Sequence, residues 1–431
     1  MFDYVRHRAS IGLQALFFTH RIAPCARRNS LTMAGNRTAD ELLKWGLRHA
    51  EPSGEQDRSS VAQVTDDIAS GRRPDLADPG LYNAIMGKSE AQMMSEELAV
   101  ATDRSRSESD RCTALDNFEM LVEQVDNANN MENMNMWPPI LALLNEQSAP
   151  IQTVTLWIIG TAIQNNDKAQ VLALSHGALP PILTLLESPE DEVRRKAMYA
   201  LSALLRHYPH AVATFQDADG WAKLHTALLD PNMAQRRKVA FLLNQLLLQD
   251  PTKPGSASTP AAAPAPASTQ RSSSTALMPV GNEPASDDSV LPSAPLEHGP
   301  ATLRSNVKHP DVARALLDTG IFATLAASVL PPDALQATEL PWSAEQAQRI
   351  QRYGDGSSLT YTDLDYSEKA TQTVMTLLNK VGNAYPLPSG LLSSLGTYLA
   401  SPPSADAGSA RSVAEELSVD ASALRAFLAR K

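Results

Sequence analysis

The sequence is poor in cysteine and aromatic residues, and it has no long hydrophobic run. Its two cysteines, Cys25 and Cys112, lack the spacing of a metal site and are too few for a disulfide framework, which favours a reducing compartment. No apolar stretch approaches the roughly 18 residues that a membrane-spanning helix needs, so we expect no membrane partner. Aromatic residues make up 5% of the chain whereas Leu and Ala dominate it, a composition that favours helices.

Positive charge is also scarce, and catalytic motifs are missing. The net charge of −11 argues against the phosphate backbone of a nucleic acid as the main partner. The sequence has no phosphate-binding GxxxxGK[ST], no GxSxG and no HExxH, and Gly354-Asp355-Gly356 is predicted to lie in a loop without a preceding strand. We therefore predict that the protein is not an enzyme and has no catalytic residues, no cofactor and no metal site.

The strongest positive signal is an internal repeat. WPPILALL begins at Trp137, LPPILTLL at Leu179 and WAKLHTALL at Trp221, each 42 residues after the one before. A second helical segment recurs with nearly the same step. Its starts are Ala114, Thr155, Ala197 and Val239. Its predicted core-facing residues are Leu115, Phe118 and Val122; Leu156, Ile159 and Ile163; Met198, Leu201 and Leu205; and Ala240, Leu243 and Leu247.

Two helix families that keep one period of this length are typical of armadillo and HEAT repeats, whose units stack because none can bury its apolar face alone. We predict an all-α fold, an armadillo/HEAT-like right-handed superhelical solenoid built of helix pairs. A disordered N-terminal extension and a disordered internal linker are expected to flank and interrupt it.

Composition predicts six segments. Residues 1–32 are Arg-rich and acid-poor, which fits an upstream extension without function, a mitochondrial transit signal or an unrelated tail. The other predicted segments are an N-terminal helix with a flexible linker (33–80), armadillo-type repeats (81–250), a Pro/Ala/Ser-rich disordered insertion (251–300), C-terminal repeats with an insertion (301–385) and a C-terminal tail helix (386–431).

An acidic and amide-rich stretch, DNFEMLVEQVDNANN, occupies residues 116–130. It is no calcium loop, because Ala128 and Met131 stand where such a loop needs an oxygen ligand and a glycine. Phe118, Leu121 and Val122 share one helix face. We predict a helix that runs into an Asn-rich turn, with the role of the exposed amides left open.

Two basic triplets, 194–196 and 236–238, lie 42 residues apart, and Arg111 extends one column of this ladder. Two interpretations stay open. The triplets are either a solvated charged face, or a row of cations on one wall of the solenoid that faces an acidic protein surface.

The stretches ALDNFEMLVEQVDNANNMENMNMWPPIL (114–141), IIGTAIQNN (158–166) and AMYALSALLRH (197–207) resemble the armadillo-type nucleotide exchange factors of heat-shock protein 70, the fungal Fes-type proteins and their animal counterparts. ELLKWGLRHA (41–50) resembles that family's N-terminal helix. The resemblance implies a monomeric co-chaperone that grips the chaperone's ATPase domain with its concave face, accelerates ADP release and needs no cofactor.

The same resemblance implies that Asp126, Asn127, Ala128, Asn129, Asn130 and Lys238 contact the partner, and the cation-row interpretation of the triplets adds Arg195 and Arg237. At Lys238 the family tends to have Arg, so the contact is expected to be weaker here. Residues 33–80, with Trp45 and several leucines, are expected to touch the chaperone's client groove.

Two other functions remain open at this stage, an importin-like peptide adaptor and a general scaffold or assembly chaperone. The adaptor needs Trp and Asn four residues apart on the inner helices, but Trp157 is followed at that spacing by Thr161, and Tyr199 by Ala203. The expected location is the cytoplasm, or mitochondria if residues 1–32 are a transit peptide.

Overall fold

The computed structural model describes residues 88–251, 307–336, 342–382, 384–403 and 411–429. The predicted 1–32 extension, the 33–80 helix and linker, and all but the first residue of the 251–300 insertion lie outside these ranges. The chain divides into two compact units after Ala114. In the first unit, helix α1 (Glu90–Thr102) begins with a capping box between Ser89 and Gln92. The Arg111 guanidinium then holds the turn after α1, because its Nε donates to the Ala101 carbonyl at 2.7 Å.

The second unit consists of repeats of three helices, not the predicted helix pairs. The first helix of each repeat is short: α3 (Val125–Asn133), α6 (Asp167–Ser175), α9 (Pro209–Asp217) and α12 (Val312–Asp318). The second is also short: α4 (Trp137–Leu143), α7 (Leu179–Leu185), α10 (Gly220–Leu228) and α13 (Ile321–Ser328). The third is long: α5 (Ala149–Ile163), α8 (Asp191–Leu205), α11 (Met233–Gln249) and α16 (Leu364–Val381), preceded by α2 (Glu108–Val122).

Helices α3 and α6 were missed because they bury few large apolar residues, whereas α9 buries Val212 and Phe215 and its pattern was overlooked. In α6 only Ala169, Gln170 and Ala173 are buried. Their start signals are nevertheless visible in the sequence. The Asn166 side chain caps α6 by accepting from the Ala169 amide, and Pro209 occupies the first turn of α9, 42 residues after Asp167.

The predicted core is confirmed in the described repeats. The twelve residues expected to face the core from α2, α5, α8 and α11 are each at most 1% exposed. Helix α5 packs on α8, α8 on α11, and α11 on α16, so the long helices form one continuous layer. The prediction of an all-α, armadillo-like solenoid is therefore confirmed. The exception within the described residues is a short antiparallel hairpin.

That hairpin belongs to an insertion before α16. The insertion contains α14 (Pro332–Gln336), α15 (Ala344–Gln351), β1 (Arg352–Tyr353), β2 (Ser358–Leu359) and a 3₁₀ turn (Thr360–Thr362). The Gly354-Asp355-Gly356 loop is preceded by a strand, contrary to expectation, and forms the hairpin turn. Both glycines have positive φ, 65° and 86°, which residues with a Cβ rarely adopt.

The C-terminal segment holds three helices where one tail helix was predicted: α17 (Ser389–Ala400), α18 (Val413–Glu416) and α19 (Ser422–Leu428). Ser418, at φ 55°, separates the last two. No helix in the described ranges is long and apolar enough to cross a membrane.

Candidate functional site: the exposed surface of the long helices

The long helices carry a connected set of polar and aromatic side chains on the surface that the short helices leave uncovered; we call it the long-helix face. Thr161 on α5 donates to Glu119 on α2 at 2.7 Å. Tyr199 on α8 donates to the Gln164 amide oxygen at 2.8 Å. Lys196 places its ammonium 3.6 Å from the centre of the Trp157 ring. Three successive long helices are thus joined by side chains that are half-buried, apart from Glu119, which is buried.

Close packing of α5 against α8 depends on a glycine. A Cβ added at Gly160 would lie 2.3 Å from the Tyr199 ring, far inside the contact distance of carbon atoms. Tyr199 therefore occupies the space that a side chain at position 160 would take. Packing against Gly160 holds the Tyr199 ring in place, and the hydrogen bond from its hydroxyl to Gln164 further restricts the side chain.

Burial changes the acid–base properties of this network. Desolvation raises the pKa of Glu119, and repulsion from Glu123 adds to it, although the Thr161 hydrogen bond acts in the opposite direction. The pKa of Lys196 is lowered to about 8, first by burial and then by the positive charges of Lys238 and Arg195, against the attraction of Glu119. The face therefore carries an acidic end on α2 and a crowded basic region on α8 and α11.

The structure corrects the prediction for the amide-rich stretch. Residues 125–133 form helix α3, and the turn lies before it, at 123–124. Asn127 is buried and donates to the Leu121 carbonyl at 2.9 Å, which ties α3 to the end of α2. Asn has a low helix propensity, but burial of one helix face overrides it here.

Ala128 is only 1% exposed, so its side chain packs inside the fold in this structure, and its contact with a partner stays a prediction. Asn129 is half-buried. Among residues 126–130, Asp126 and Asn130 are the two that are exposed. A large side chain at position 128 would disturb the packing of α3 and cannot by itself report on docking.

The first column of the basic triplets has a structural role. Arg194 and Arg236, with Gln152 one repeat earlier, each donate to the carbonyl six residues before them: Gln152 to Glu146 at 2.6 Å, Arg194 to Ser188 at 2.9 Å and Arg236 to Asp230 at 2.6 Å. Each side chain thereby closes the turn that leads into its own long helix. Arg236, 2% exposed, cannot belong to a row of surface cations.

The second column is engaged in ion pairs. Arg195 pairs with Glu192 and Asp191 in its own helix. Arg237 forms a two-pronged contact with Asp363, the N-cap of α16, with Nε to Oδ1 at 3.0 Å. Because both arginines are paired within the fold, less of their charge is available to a partner. That they contact a partner stays a prediction.

Lys238, in the third column, has a different environment. It is exposed, and it makes no hydrogen bond or close ion pair with any residue in the described ranges. Its pKa is lowered by desolvation and then by the nearby Arg195 charge, although Asp191 opposes the shift. Of the cations predicted to contact a partner, Lys238 is therefore the one that the fold leaves uncommitted among the described residues.

The face contains no arrangement for metal chemistry or for the importin-like ladder. Within the described ranges, no group of three or more His, Cys, Asp and Glu could hold a metal ion. Trp157 is covered by Lys196 and the neighbouring Thr161 is bonded to Glu119, so neither is arranged to read a basic peptide.

Comparison with known proteins identifies the family. Residues 39–131 match the family described as nucleotide exchange factor Fes1, and residues 127–278 match the SIL1/FES1/HPBP1 C-terminal domain. A protein of Mycosarcoma maydis named Hsp70 nucleotide exchange factor FES1 is 51% identical over 351 residues, which cover 81% of this chain and 85% of that protein. The chain belongs to the Fes1 family.

Further comparisons concern a second relative and one solved structure. The protein of the same name from Cryptococcus neoformans is 40% identical over 227 residues, covering 47% of this chain and 60% of that protein. Among solved structures, a designed armadillo repeat protein in complex with the peptide (KR)4 superposes with a TM-score of 0.46 at 12% identity, covering 79% of this chain and all of that one. The two family matches include α5, α8 and α11 and end before α12.

Proposed function

We propose that this protein is a nucleotide exchange factor of heat-shock protein 70, which binds the chaperone's ATPase domain and accelerates ADP release. The observation that carries the proposal is the 51% identity, over most of both chains, to a protein named for that activity. Binding accounts for the whole function, without catalysis or a cofactor in the factor itself. The net charge of −11 argues against a nucleic-acid backbone as the main partner and is compatible with a protein partner.

The mechanism is a thermodynamic coupling between two ligands of the chaperone. A factor that binds the open form of the nucleotide cleft more tightly than the closed form shifts the ATPase domain toward the open form, which holds ADP weakly. ADP and the factor then weaken each other's binding to the same extent, by about 1–3 kcal/mol in typical cases. A rigid stack of helices suits this role because it does not deform to fit the closed form.

We place the contact on the long-helix face. Support comes from the uncommitted ammonium of Lys238 and from the aromatic and acidic side chains that α2, α5 and α8 hold in fixed positions. The exposed Asp126 and Asn130 remain candidate contacts, whereas Ala128 and Asn127 support α3 from within.

The test measures release of fluorescent ADP from the purified ATPase domain of a fungal heat-shock protein 70. The full chain is expected to accelerate release, and Lys238→Glu to lose about tenfold in affinity, because it reverses a charge in the contact. Lys168→Glu is the matched control, since Lys168 is an exposed lysine on the short helix α6. If the parent chain leaves the ADP release rate unchanged, the function is wrong. If both variants behave alike, the contact surface is wrong.

A further inference from the structure

Exposed apolar side chains are rare in the described ranges, and α11 carries two of them. The exposed large hydrophobic residues there are Met120 (61%), Val125 (57%), Phe241 (37%), Leu248 (63%) and Leu364 (56%). Phe241 and Leu248 are seven residues apart, which puts them on one side of the helix, two turns from each other. Lys238, three residues before Phe241, extends the same stripe. We call these three residues the α11 stripe.

Phe241 ends a column of aromatic residues at repeat-equivalent positions. Trp157, Tyr199 and Phe241 are separated by 42 residues each and stand at the same place on α5, α8 and α11. The first two rings are engaged within the protein, Trp157 by the Lys196 ammonium and Tyr199 by Gln164. Phe241 has no comparable ring contact or cation contact within the described ranges, so its exposed edge is free for another molecule.

The charge beside Phe241 indicates the chemistry of that molecule. Lys238 stands near Arg195 and is partly desolvated, so its protonated form is less favourable than in water. A carboxylate brought against the Lys238 ammonium would favour its protonated form by electrostatic attraction, which offsets the desolvation and the repulsion from Arg195. An apolar side chain next to an incompletely neutralised cation fits a surface that offers an apolar hollow with an acidic residue at its edge.

We propose that the α11 stripe is the main anchor on heat-shock protein 70, and that it docks where the ATPase domain presents an apolar hollow bordered by a carboxylate. The inference rests on the proposed function and adds Phe241 and Leu248 to the contact. Truncating a central aromatic anchor costs more than removing a charge at the rim, because water does not replace apolar contacts. Phe241 is therefore expected to matter more than Lys238.

The experiment compares three full-length variants in titration calorimetry with the purified ADP-bound ATPase domain, and in ADP release. Phe241→Ala is expected to weaken binding by about thirtyfold and Leu248→Ser by about tenfold, in line with truncation of buried interface anchors. Leu364→Ser is the matched control: it removes an equally exposed leucine from the next long helix, and parental binding is expected. Melting temperatures within a few degrees of the parent establish that each variant is folded.

The outcomes separate this inference from the function on which it rests. If the parent binds and accelerates release but Phe241→Ala and Leu248→Ser do so equally well, the anchor is wrong and the proposed function stands. If sedimentation shows a concentration-dependent dimer of the parent that both substitutions abolish, the stripe binds a second copy of the chain and the inference is also wrong. If the parent fails to bind, the function itself is wrong.

Discussion

The two basic triplets have nearly the same sequence and repeat-equivalent positions, yet their outer members differ in surroundings. In Arg194-Arg195-Lys196 the lysine lies on Trp157, and the first arginine reaches Asp230 of the following repeat. In Arg236-Arg237-Lys238 the first arginine is enclosed by the insertion before α16, and the lysine is exposed. For the arginines the difference arises from the next element in the stack, which is another regular repeat beside α8 but the insertion and α16 beside α11. For the lysines it lies on the preceding helix, since Trp157 of α5 contacts Lys196.

Within each triplet, distance from the helix start decides the role. The first residue points back to the turn before its helix, the second reaches a carboxylate near the helix start, and the third reaches the long-helix face. Five of these six cations therefore contact other groups in the fold, and Lys238 is the exception among the described residues. Solvated charge and partner contact were the two interpretations of the sequence, and neither describes the first column.

The largest expected effect is at Arg236. The five N–H groups of its guanidinium lie within hydrogen-bond distance of six oxygens, the Thr360 hydroxyl and the Asp230, Leu229, Arg349, Ile350 and Arg352 carbonyls. Arg236→Met leaves buried carbonyls without donors and should lower the free energy of unfolding by about 3 kcal/mol or more. Urea denaturation at pH 7 measures it. Arg236→Lys should recover only part of the loss. A single ammonium cannot replace both the contacts to Asp230 and Leu229 and those to the insertion.

Arg194→Met sharpens the contrast. We expect a loss of about 2 kcal/mol, because Arg194 is partly exposed and Asp230 still accepts from the Asn232 amide at 2.7 Å. A loss larger than that of Arg236→Met would show that the ion pair with Asp230, and not the carbonyl contacts, is what stabilises this column.

The second column gives a smaller effect. Arg237→Gln should cost about 1 kcal/mol, because the Asp363 carboxylate that it contacts is largely buried and also caps α16 through the Tyr366 amide. Arg195→Gln should cost less than about 0.5 kcal/mol, because its pairs lie within one exposed helix turn.

The pH dependence of the Arg237 effect provides a check. Burial would raise the pKa of Asp363, but the Arg237 and Tyr366 hydrogen bonds hold it below the usual 3.8. The stabilisation is therefore complete above that value and is lost as pH falls through the lower folded-state pKa. The difference between the parent and Arg237→Gln should shrink in acid, and a constant difference would contradict the assignment.

The repeat period and the core were predictable from the sequence because large apolar residues mark them. Trp137, Leu179 and Trp221 recur at fixed steps and are all buried. Helices α3 and α6 were missed because alanine and amide residues make up most of their buried faces, which leaves little hydrophobic pattern; α9 buries Val212 and Phe215 and could have been found. In α3, the buried residues Ala128 and Met131 are three residues apart, as expected on one face of a helix. The surrounding asparagines nevertheless led to the prediction of a turn.

The candidate site was less predictable, because the contacts that each side chain makes in the folded protein determine which residues are available to a partner. The sequence marks Arg236, Arg237 and Lys238 as equally basic, and only packing shows that the first is buried, the second paired and the third exposed. The column of Trp157, Tyr199 and Phe241 was visible in the 42-residue spacing and could have been found. Glu119 and its partner Thr161 are also 42 residues apart, but they are not residues of one type, so the spacing alone did not reveal the pair.

The pH dependence of stability distinguishes the two lysines. The pKa of Lys196 is about 8 in the folded protein against the usual 10.5, so between these values the unfolded chain binds more protons than the folded one. The stability of the parent should rise with pH across this window, whereas Lys196→Met lacks this contribution. The advantage of Lys196→Met over the parent should therefore be greatest below pH 8 and decline toward pH 10.5, as measured by urea denaturation at intervals of one pH unit.

Lys238→Met is the comparison for this measurement, since its pKa is shifted in the same direction, but less. Its curve should have the same sign and a smaller amplitude. Ionisation of Tyr199 does not interfere in the lower part of the window, because burial raises the pKa of its hydroxyl. Equal curves for the two variants would mean that Lys196 is no more desolvated than Lys238, and that its position over Trp157 does not set it apart.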